Sequence, residues 1–536
     1  MPLTLRLLAL RGILERAQAE EFLHFKESLL SDPVLLPGID KATKRICQAI
    51  LHNEKIVVYG DFDADGVTSV AIVTEGLRKL GAKVSQYLPD RFSEGYGLNT
   101  STLETLASQG ANLIITVDCG ISSYNEIIRL NELSIDTIIT DHHSLPERLP
   151  PAHAIINPHL LDNDMFKSLA GAGVAYKLVS YLYGYFGRAA EADEFLALAA
   201  IGTVADIMPL VKDNRYIVEM GLRIINKNPS KGLLELIRGA KLNAGDINAS
   251  RIAWVIAPRL NAAGRLKHAN LSYQLLTCQD TQEAMRLASQ LDALNSERQA
   301  LTNQFVQLAK EQVSLTQKIL IFENNACPKG VVGLVAGRLC EEFCLPTIAV
   351  NTEGDLCVGS CRSIDGFNIT QALSSCSELF VRFGGHAQAA GFTAHKENLP
   401  AIKDYLENYA REQLSTLDCQ PTLQIDAIAS LNELSLGAFK EIKRLEPFGE
   451  GNSTPIFLSE NLRVLDWRLM GKGQEHIFIK FSQDERLLEA TGFNLATELF
   501  PLIKESLDIV YNLEINDFNG RQTLRAKILD YKIHQG

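Results

Sequence analysis

The chain has 536 residues, 46% of them hydrophobic and 22% charged, which is enough apolar material for three or four packed units rather than one. A net charge of −12 excludes a protein that coats nucleic acid by charge alone, since non-specific binding rests on neutralising phosphates, but it leaves room for an enzyme with a local basic channel. No apolar run reaches the roughly 18 residues of a membrane span, and the cysteines fall mostly in apolar stretches, so a cytoplasmic protein with reduced thiols and no membrane partner is expected.

In chain order, residues 1–49 read as an N-terminal helical segment, with Arg6, Arg11, Glu15 and Arg16 at helical spacing. From residue 55 short apolar runs alternate with amphipathic ones, the pattern of a parallel sheet covered by helices. Strands are expected at 55–59 (KIVVY), 83–88, 111–117, 136–140 and 154–156, with a helix at 67–80 stopped by Gly81. This makes a doubly wound α/β domain over 50–240, whose last part, 171–240, reads as helical. Residues 241–316 form a helical connector that ends in a long stretch, 281–316, without proline or glycine.

A second α/β unit is expected over 317–415, with a strand from Ile319, a helix at 333–343, the strand TIAV and a glycine-rich Phe383-Gly384-Gly385-His386. Residues 416–454 link it to a tail, 455–536, whose alternating runs HIFIKF and LDIVYNLEI predict a small β-barrel. Cys340, Cys344, Cys357 and Cys361 form two CxxxC pairs that could in principle hold zinc, but neither has the tight CxxC knuckle that closes such a site.

The first chemical signal is Asp61-Phe62-Asp63-Ala64-Asp65-Gly66, directly after a strand. Three carboxylates in five residues repel one another unless cations neutralise them, so a metal site is expected. A calcium loop of the EF-hand type also begins D-x-D-x-D-G, but its twelfth position here is Ile72 and a strand precedes it where a helix should. The strand ending at Val117 delivers Asp118, and the next delivers Asp141, His142 and His143 at the same carboxyl edge, where parallel sheets bind ligands. A later apolar helix ends in Asp206. Aspartates with one or two neutral imidazoles suit Mn2+ or Mg2+ better than zinc, and two such ions can activate a water against a phosphate. Phosphoester hydrolysis is the expected reaction class.

The order DFDADG, VDCG, DHH and ADIMP resembles the DHH phosphoesterases, and within them the single-strand-specific DNA exonucleases. The likeness continues through LAGAGVAYKL (169–178), APRLNAAGRL (257–266), GSCRSIDGF (359–367), FGGHAQAAGF (383–392) and LEPFGEGN (445–452). It implies that Asp61, Asp63, Asp118, His142 and Asp206 hold two Mn2+ or Mg2+ ions, with Asp118 bridging them. His143 would contact the scissile phosphate, completing a catalytic set with Asp63, Asp118 and His142, while Asp65 and Asp141 orient their neighbours by hydrogen bonds. The second α/β unit resembles the DHH-associated domain, in which Arg362, Gly384, Gly385 and His386 would hold the substrate. Asn261 and Arg265 would grip the terminal nucleotide. The tail resembles an OB-fold, where Trp467, Phe478 and Phe481 are either stacking faces or core.

The resemblance further implies hydrolysis of single-stranded DNA from the 5′ end in recombination and repair. Its implied partners are single-stranded DNA, a single-strand-binding protein and a RecQ-type helicase, and its implied state is a monomer. One departure is Cys327-Pro328, where relatives carry Trp-His, which puts a substrate contact by that imidazole in doubt. Two other readings stay open: a phosphodiesterase of the same superfamily acting on short or cyclic oligonucleotides, and a non-catalytic replication scaffold. The tail speaks against the first, and the complete set of carboxylates against the second.

Overall fold

The computed structural model describes residues 2–24, 29–314, 316–415, 422–518 and 521–535. Two helices, α1 (Leu3–Leu10) and α2 (Arg16–His24), open the chain, and α3 (Ile39–Leu51) leads into the first sheet. That sheet consists of β1 (Lys55–Gly60), β2 (Lys83–Tyr87), β3 (Leu113–Val117), β4 (Asp136–Thr140) and β5 (Ala154–Ile156). Its order is β2-β1-β3-β4-β5 and every pairing is parallel. Strands such as Leu113–Val117, apolar but for Thr116, are buried on both faces, as a helix-covered parallel sheet requires.

The covering helices are α4 (Ala64–Lys79), α5 (Thr100–Ser108), α6 (Tyr124–Glu132) and α7 (Gly171–Tyr185). A helical extension follows with α8 (Leu196–Ala205), α9 (Lys212–Lys227) and α10 (Lys231–Gly239). The connector begins with α11 (Ala249–Arg251), a π-helical turn (Ile252–Ile256), α12 (Ala257–Leu266) and α13 (Asn270–Thr277). It ends in α14 (Thr281–Gln312), 32 residues long, started by Asp280, whose side chain accepts the amide of Glu283. At 1.5 Å rise per residue this rod spans about 48 Å. It stops four residues before the expected end; residue 315 lies outside the described residues.

The second α/β unit has β6 (Leu320–Asn324), α15 (Val332–Phe343), β7 (Thr347–Asn351), β8 (Leu356–Arg362), α16 (Ile369–Ser374), β9 (Arg382–Gly385), β10 (Ala389–His395) and α17 (Leu399–Gln413). The sheet runs β6-β7-β8-β10-β9 and is mixed: only β6 and β7 are parallel. The glycine-rich segment is therefore an edge strand and hairpin, not a free loop.

The tail comprises β11 (Ala427–Ile428), α18 (Leu436–Lys443), β12 (Phe457–Met470), β13 (His476–Gln483), β14 (Arg486–Gly492), α19 (Ala496–Leu499), β15 (Ser506–Phe518) and β16 (Arg521–Ile533). Pairing of β12 with β15 closes strands β12-β13-β14-β16-β15 into a barrel, which removes exposed sheet edges. The first residues expected to link this barrel, 416–421, lie outside the described residues.

Helices α1 and α3 pack in two different places: Leu3, Leu7 and Leu8 of α1 lie in the barrel's core with Phe457, Phe481 and Tyr511, whereas Ile39, Ala42 and Ile46 of α3 lie under the first sheet. The amphipathic pattern showed that each helix had an apolar face but not which face elsewhere would cover it. Among the described residues, no helix is long and apolar enough to cross a membrane.

Candidate metal centre

In the order β2-β1-β3-β4-β5 the chain leaves β1 and β3 in opposite directions, and the crevice between their carboxyl ends is where such sheets bind ligands. Asp61 follows β1 directly, Asp118 follows β3, and Asp141, His142 and His143 follow β4. Asp206 arrives separately, at the carboxyl end of α8.

The helix after β1 starts earlier than its apolar periodicity indicates, at Ala64, because Asp63 caps it by accepting the amide of Gly66 at 3.0 Å. Asp65 therefore lies in the first helical turn. Its two carboxylate oxygens accept the amides of Gly171 and Ala172 at 2.7 and 2.8 Å, so it clamps the start of α7. Asp118 has φ 58°, the left-handed region that Asp tolerates better than most residues. A Cβ at position 171 would fall 2.6 Å from the Cβ of Asp118, so glycine is what lets α7 close over this carboxylate.

Ligand-capable atoms gather in three overlapping groups: Asp61, Asp63 and Asp118; Asp118, His142 and His143; and Asp65, His142 and Asp206, the atoms of each lying within 4.8 Å of one another. Nε2 of His142 stands 3.1 Å from Asp118 Oδ1, 3.6 Å from Asp206 Oδ2 and 3.9 Å from Asp65 Oδ2. Asp118 joins the first group to the second, and His142 joins the second to the third.

The electrostatics of the cluster call for cations. Oδ1 of Asp61 and Oδ1 of Asp118 are buried and accept no hydrogen bond, a costly state for a carboxylate. Burial, then the neighbouring Asp63, pushes Asp61 up to about 8; burial, then Asp63, pushes Asp206 up to about 7. Asp118 is raised well above the carboxylate range by burial and by the four aspartates around it. His142 is driven down to about 4 by burial and by His143, which keeps its imidazole neutral, the form that ligates. An oxygen-rich set with one neutral imidazole fits hard octahedral ions such as Mn2+ or Mg2+.

Ions would bind the deprotonated carboxylates, so their entry into this cluster would expel protons from the raised carboxyl groups of Asp61 and Asp206. Titrating Mn2+ calorimetrically at pH 7 in buffers of different ionisation enthalpy is expected to show net proton release, with affinity falling as the pH is lowered from 8 to 6. Binding without proton exchange would contradict this picture.

Asp141, fully buried, orients the histidines. Its Oδ1 accepts the amides of His142 and His143 at 2.8 and 3.1 Å and contacts His143 Nδ1 at 2.7 Å, while Oδ2 accepts the amide of Ile121 at 2.9 Å. Burial alone would lower His143, but the hydrogen bond and charge of Asp141, with Asp206 and Asp61, push it up to about 9. Tyr96 Oη lies 3.2 Å from the same ring.

Beside the carboxylates sits a group of arginines drawn from both α/β units. Arg265, on α12, is enclosed and pushed down to about 9 by burial and by the like charges of Arg91, Arg298 and Arg362. Arg91 stacks over Phe62 at 4.8 Å and is lowered by burial, partly offset by Asp61 and Asp63. Arg362, at the end of β8, donates to the carbonyl of Cys361 at 2.7 Å. Guanidinium groups held this close repel one another until an anion lies among them. Sequence reasoning missed Arg91 and Tyr96, although both follow β2 at the carboxyl edge that also carries the aspartates, which was the available signal.

The remaining predicted site residues fall in distinct places. Asn261 Oδ1 accepts the amide of Ala64 at 2.7 Å, so it holds the aspartate motif as α4 begins. Gly384, Gly385 and His386 are exposed on β9 and its turn, at the end of the sheet where Arg362 pairs with Ala389, and no hydrogen bond among the described residues joins them to the carboxylates. A side chain at Gly384 would meet nothing within 4 Å, so that face is open. Cys327 is buried among Phe322, Val331 and Ala349, a core position. On the barrel, Phe481 is core, Phe478 is flanked by Arg468 and Arg525, and Trp467 is 37% exposed beside Phe500.

The chain matches the DHH family, N-terminal domain, over residues 55–203, the DHHA1 domain over 316–412 and the RecJ OB domain over 425–530. It is 37% identical to the single-stranded-DNA-specific exonuclease RecJ of Bacillus subtilis (strain 168), covering 100% of this chain and 68% of that protein. With the enzyme of the same name from Escherichia coli (strain K12) it shares 34% identity over 98% of this chain and 95% of that one. Its fold superposes on the crystal structure of RecJ in complex with Mn2+ from Thermus thermophilus with a TM-score of 0.86 at 29% identity, covering 100% of this chain and 76% of that chain.

Proposed function

The chain belongs to the RecJ family of single-stranded-DNA-specific exonucleases, and from that premise we propose that Asp61, Asp63, Asp118, His142 and Asp206 hold its two Mn2+ or Mg2+ ions. It is a metal-dependent phosphodiester hydrolase acting on single-stranded DNA. The observation that supports the site assignment is the overlap of the ligand groups at Asp118 and His142, with buried oxygens of Asp61 and Asp118 that accept no hydrogen bond. When bound, such an ion pair makes a water acidic enough to attack and stabilises the charge that develops on the phosphate.

The chain's own groups do the rest. Asp118 would serve both ions, and His142 would enter as a neutral ligand. His143, held cationic by Asp141, donates to an oxygen of the scissile phosphate. Arg91, Arg265 and Arg362 receive the phosphate at the end of the strand, which sets the cut a fixed distance from that end. Gly384, Gly385 and His386 line the strand's path on the second unit, and Asn261 reaches it from α12. The exposed Trp467 and the Arg468–Phe478–Arg525 stack grip the strand on the barrel, as OB-folds do with charge and stacking.

The proposal extends to attack from the 5′ end, a place in recombination and repair, and a single-strand-binding protein and a RecQ-type helicase as partners, all by resemblance to the family. A reducing, cytoplasmic setting accords with the nine free cysteines among the described residues, and a monomer is the proposed state.

The test uses end-labelled single- and double-stranded DNA and RNA with Mn2+ or Mg2+. Wild type should release a labelled mononucleotide at once from a 5′ label and shorten a 3′-labelled strand stepwise. A long oligonucleotide should be cut far better than a dinucleotide. Asp63→Asn keeps the cap on α4 and should end nucleotide release, whereas Asp63→Ala should also cost about 1 kcal/mol of stability through the lost cap. Nucleotide release by Asp63→Asn at the wild-type rate would sink the assignment.

A further inference from the structure

Asp206 differs from the other carboxylates of the centre. It does not follow a strand, and its side chain is 31% exposed against 4% for Asp118 and 1% for Asp65. Its amide donates to the carbonyl of Gly202 in α8 at 2.9 Å, and the strap that comes next is tied down in turn. Ile207 turns the chain in the left-handed region, with φ 56°, and Met208 donates its amide back to Thr203 at 3.2 Å. The carbonyl of Pro209 accepts from Asn214 Nδ2 at 3.0 Å, and Leu210, 2% exposed, donates its amide to the carbonyl of Glu450 at 2.7 Å.

Glu450 belongs to the motif LEPFGEGN, far along the chain, which has no part in the metal centre itself. Its glycines answer to the strap. A Cβ at Gly449 would lie 2.7 Å from Cδ1 of Leu210, and one at Gly451, where φ is +68°, would lie 3.0 Å from Cβ of Pro209. The loop is rigid in its own right. Buried Asn452 donates to the carbonyls of Leu445 and Pro447, both at 2.8 Å, and accepts from Arg11 Nε at 2.7 Å; Gly449 and Asn452 exchange backbone hydrogen bonds. Arg215 of α9 donates to the carbonyl of Glu446 at 2.8 Å, and Arg11, just past α1, donates to that of Ser453 at 2.8 Å. From Ser453 the chain runs directly into β12 of the barrel.

We propose that the loop 445–452 is a positioning element for the metal ligand Asp206: it holds Pro209 and Leu210, and through them sets where the Asp206 carboxylate stands. The attachment of the barrel and one of the two metal sites are thereby a single mechanical unit. This rests on Asp206 being a ligand, as read above. The physical reason is that a ligand on a free strap samples many positions, and the entropy lost on binding an ion then weakens that ion.

Mn2+ titration of the full chain by calorimetry, with wild type and variants side by side, tests this apart from activity. Asp206→Asn should weaken one of the two ions. Asn452→Ala and Gly451→Val should weaken the same ion about tenfold and the other less than about twofold. Hydrolysis by these loop variants should recover as Mn2+ is raised, with an unchanged KM for single-stranded DNA at saturating Mn2+. Arg11→Met, which removes only the brace on Asn452 and Ser453, gives a milder shift of the same ion and serves if Asn452→Ala does not fold. Ser459→Ala removes hydrogen bonds inside the barrel, to the carbonyl of Ala429 and the hydroxyl of Tyr511, and should leave both affinities as they are.

Loop variants that bind both ions like wild type, while Asp206→Asn does not, would overturn the positioning role alone. Equal weakening by Ser459→Ala would overturn it too, as a general effect of barrel instability. If Asp206→Asn leaves both ions intact, the ligand assignment fails and the positioning role falls with it.

Discussion

Replacing Asp118 by asparagine is expected to lower metal-dependent hydrolysis by at least about a thousandfold while raising the melting temperature of the metal-free protein. The two effects have one cause. Asp118 is the carboxylate that two of the ligand groups share, so on the proposed assignment its charge is needed for the ions, and without them it is the most crowded charge in the cluster. Asparagine has the same shape and also tolerates the left-handed backbone at φ 58°, which alanine does not, so backbone strain stays constant between the two proteins.

The sign with pH follows from the raised carboxylates. Their folded pKa values lie above the unfolded ones, so the native state holds extra protons and the metal-free stability of wild type falls as pH rises from about 4 toward about 8. Asp118→Asn should flatten that decline, and thermal melts in chelator between pH 5 and 9 would read it. A variant that melts below wild type at pH 8 without metal would mean that the cluster is not under repulsion.

His143→Ala should lower kcat by about a hundredfold to a thousandfold and leave both Mn2+ affinities within about twofold. The imidazole is cationic at neutral pH through Asp141, and a donor aimed at a developing phosphate charge acts on the transition state more than on binding. Tyr96→Phe, which removes the hydroxyl 3.2 Å from the same ring, should cost only a fewfold. Because His143 also lies within ligand distance of Asp118 and His142, loss of one Mn2+ ion in His143→Ala would make it a ligand rather than a phosphate contact.

Several features of this centre were legible residue by residue. Clustered carboxylates at 61, 63 and 65 after a buried strand announce cations, because repulsion at that spacing has few other remedies. Strand ends carrying Asp118 and His142 announce a shared edge, since parallel strands all present their carboxyl ends to one side. The start of α4 was misjudged because the apolar period begins at Val67, while the cap that starts the helix is the polar Asp63. Gly384 and Gly385 lower strand propensity, and pairing with β10 overrides that preference.

The chemistry follows from the kinds of side chain and their order along the strands, which decide which ions and which reaction are possible. Which distant groups share a neighbourhood depends on how the elements pack. Arg91, Arg265 and Arg362 converge from three separate segments, α1 completes the core of the last domain, and the loop at 445–452 braces the strap behind Asp206. None of these is written in local periodicity, because a buried face or a backbone amide gives no sign in sequence of the partner that will cover it.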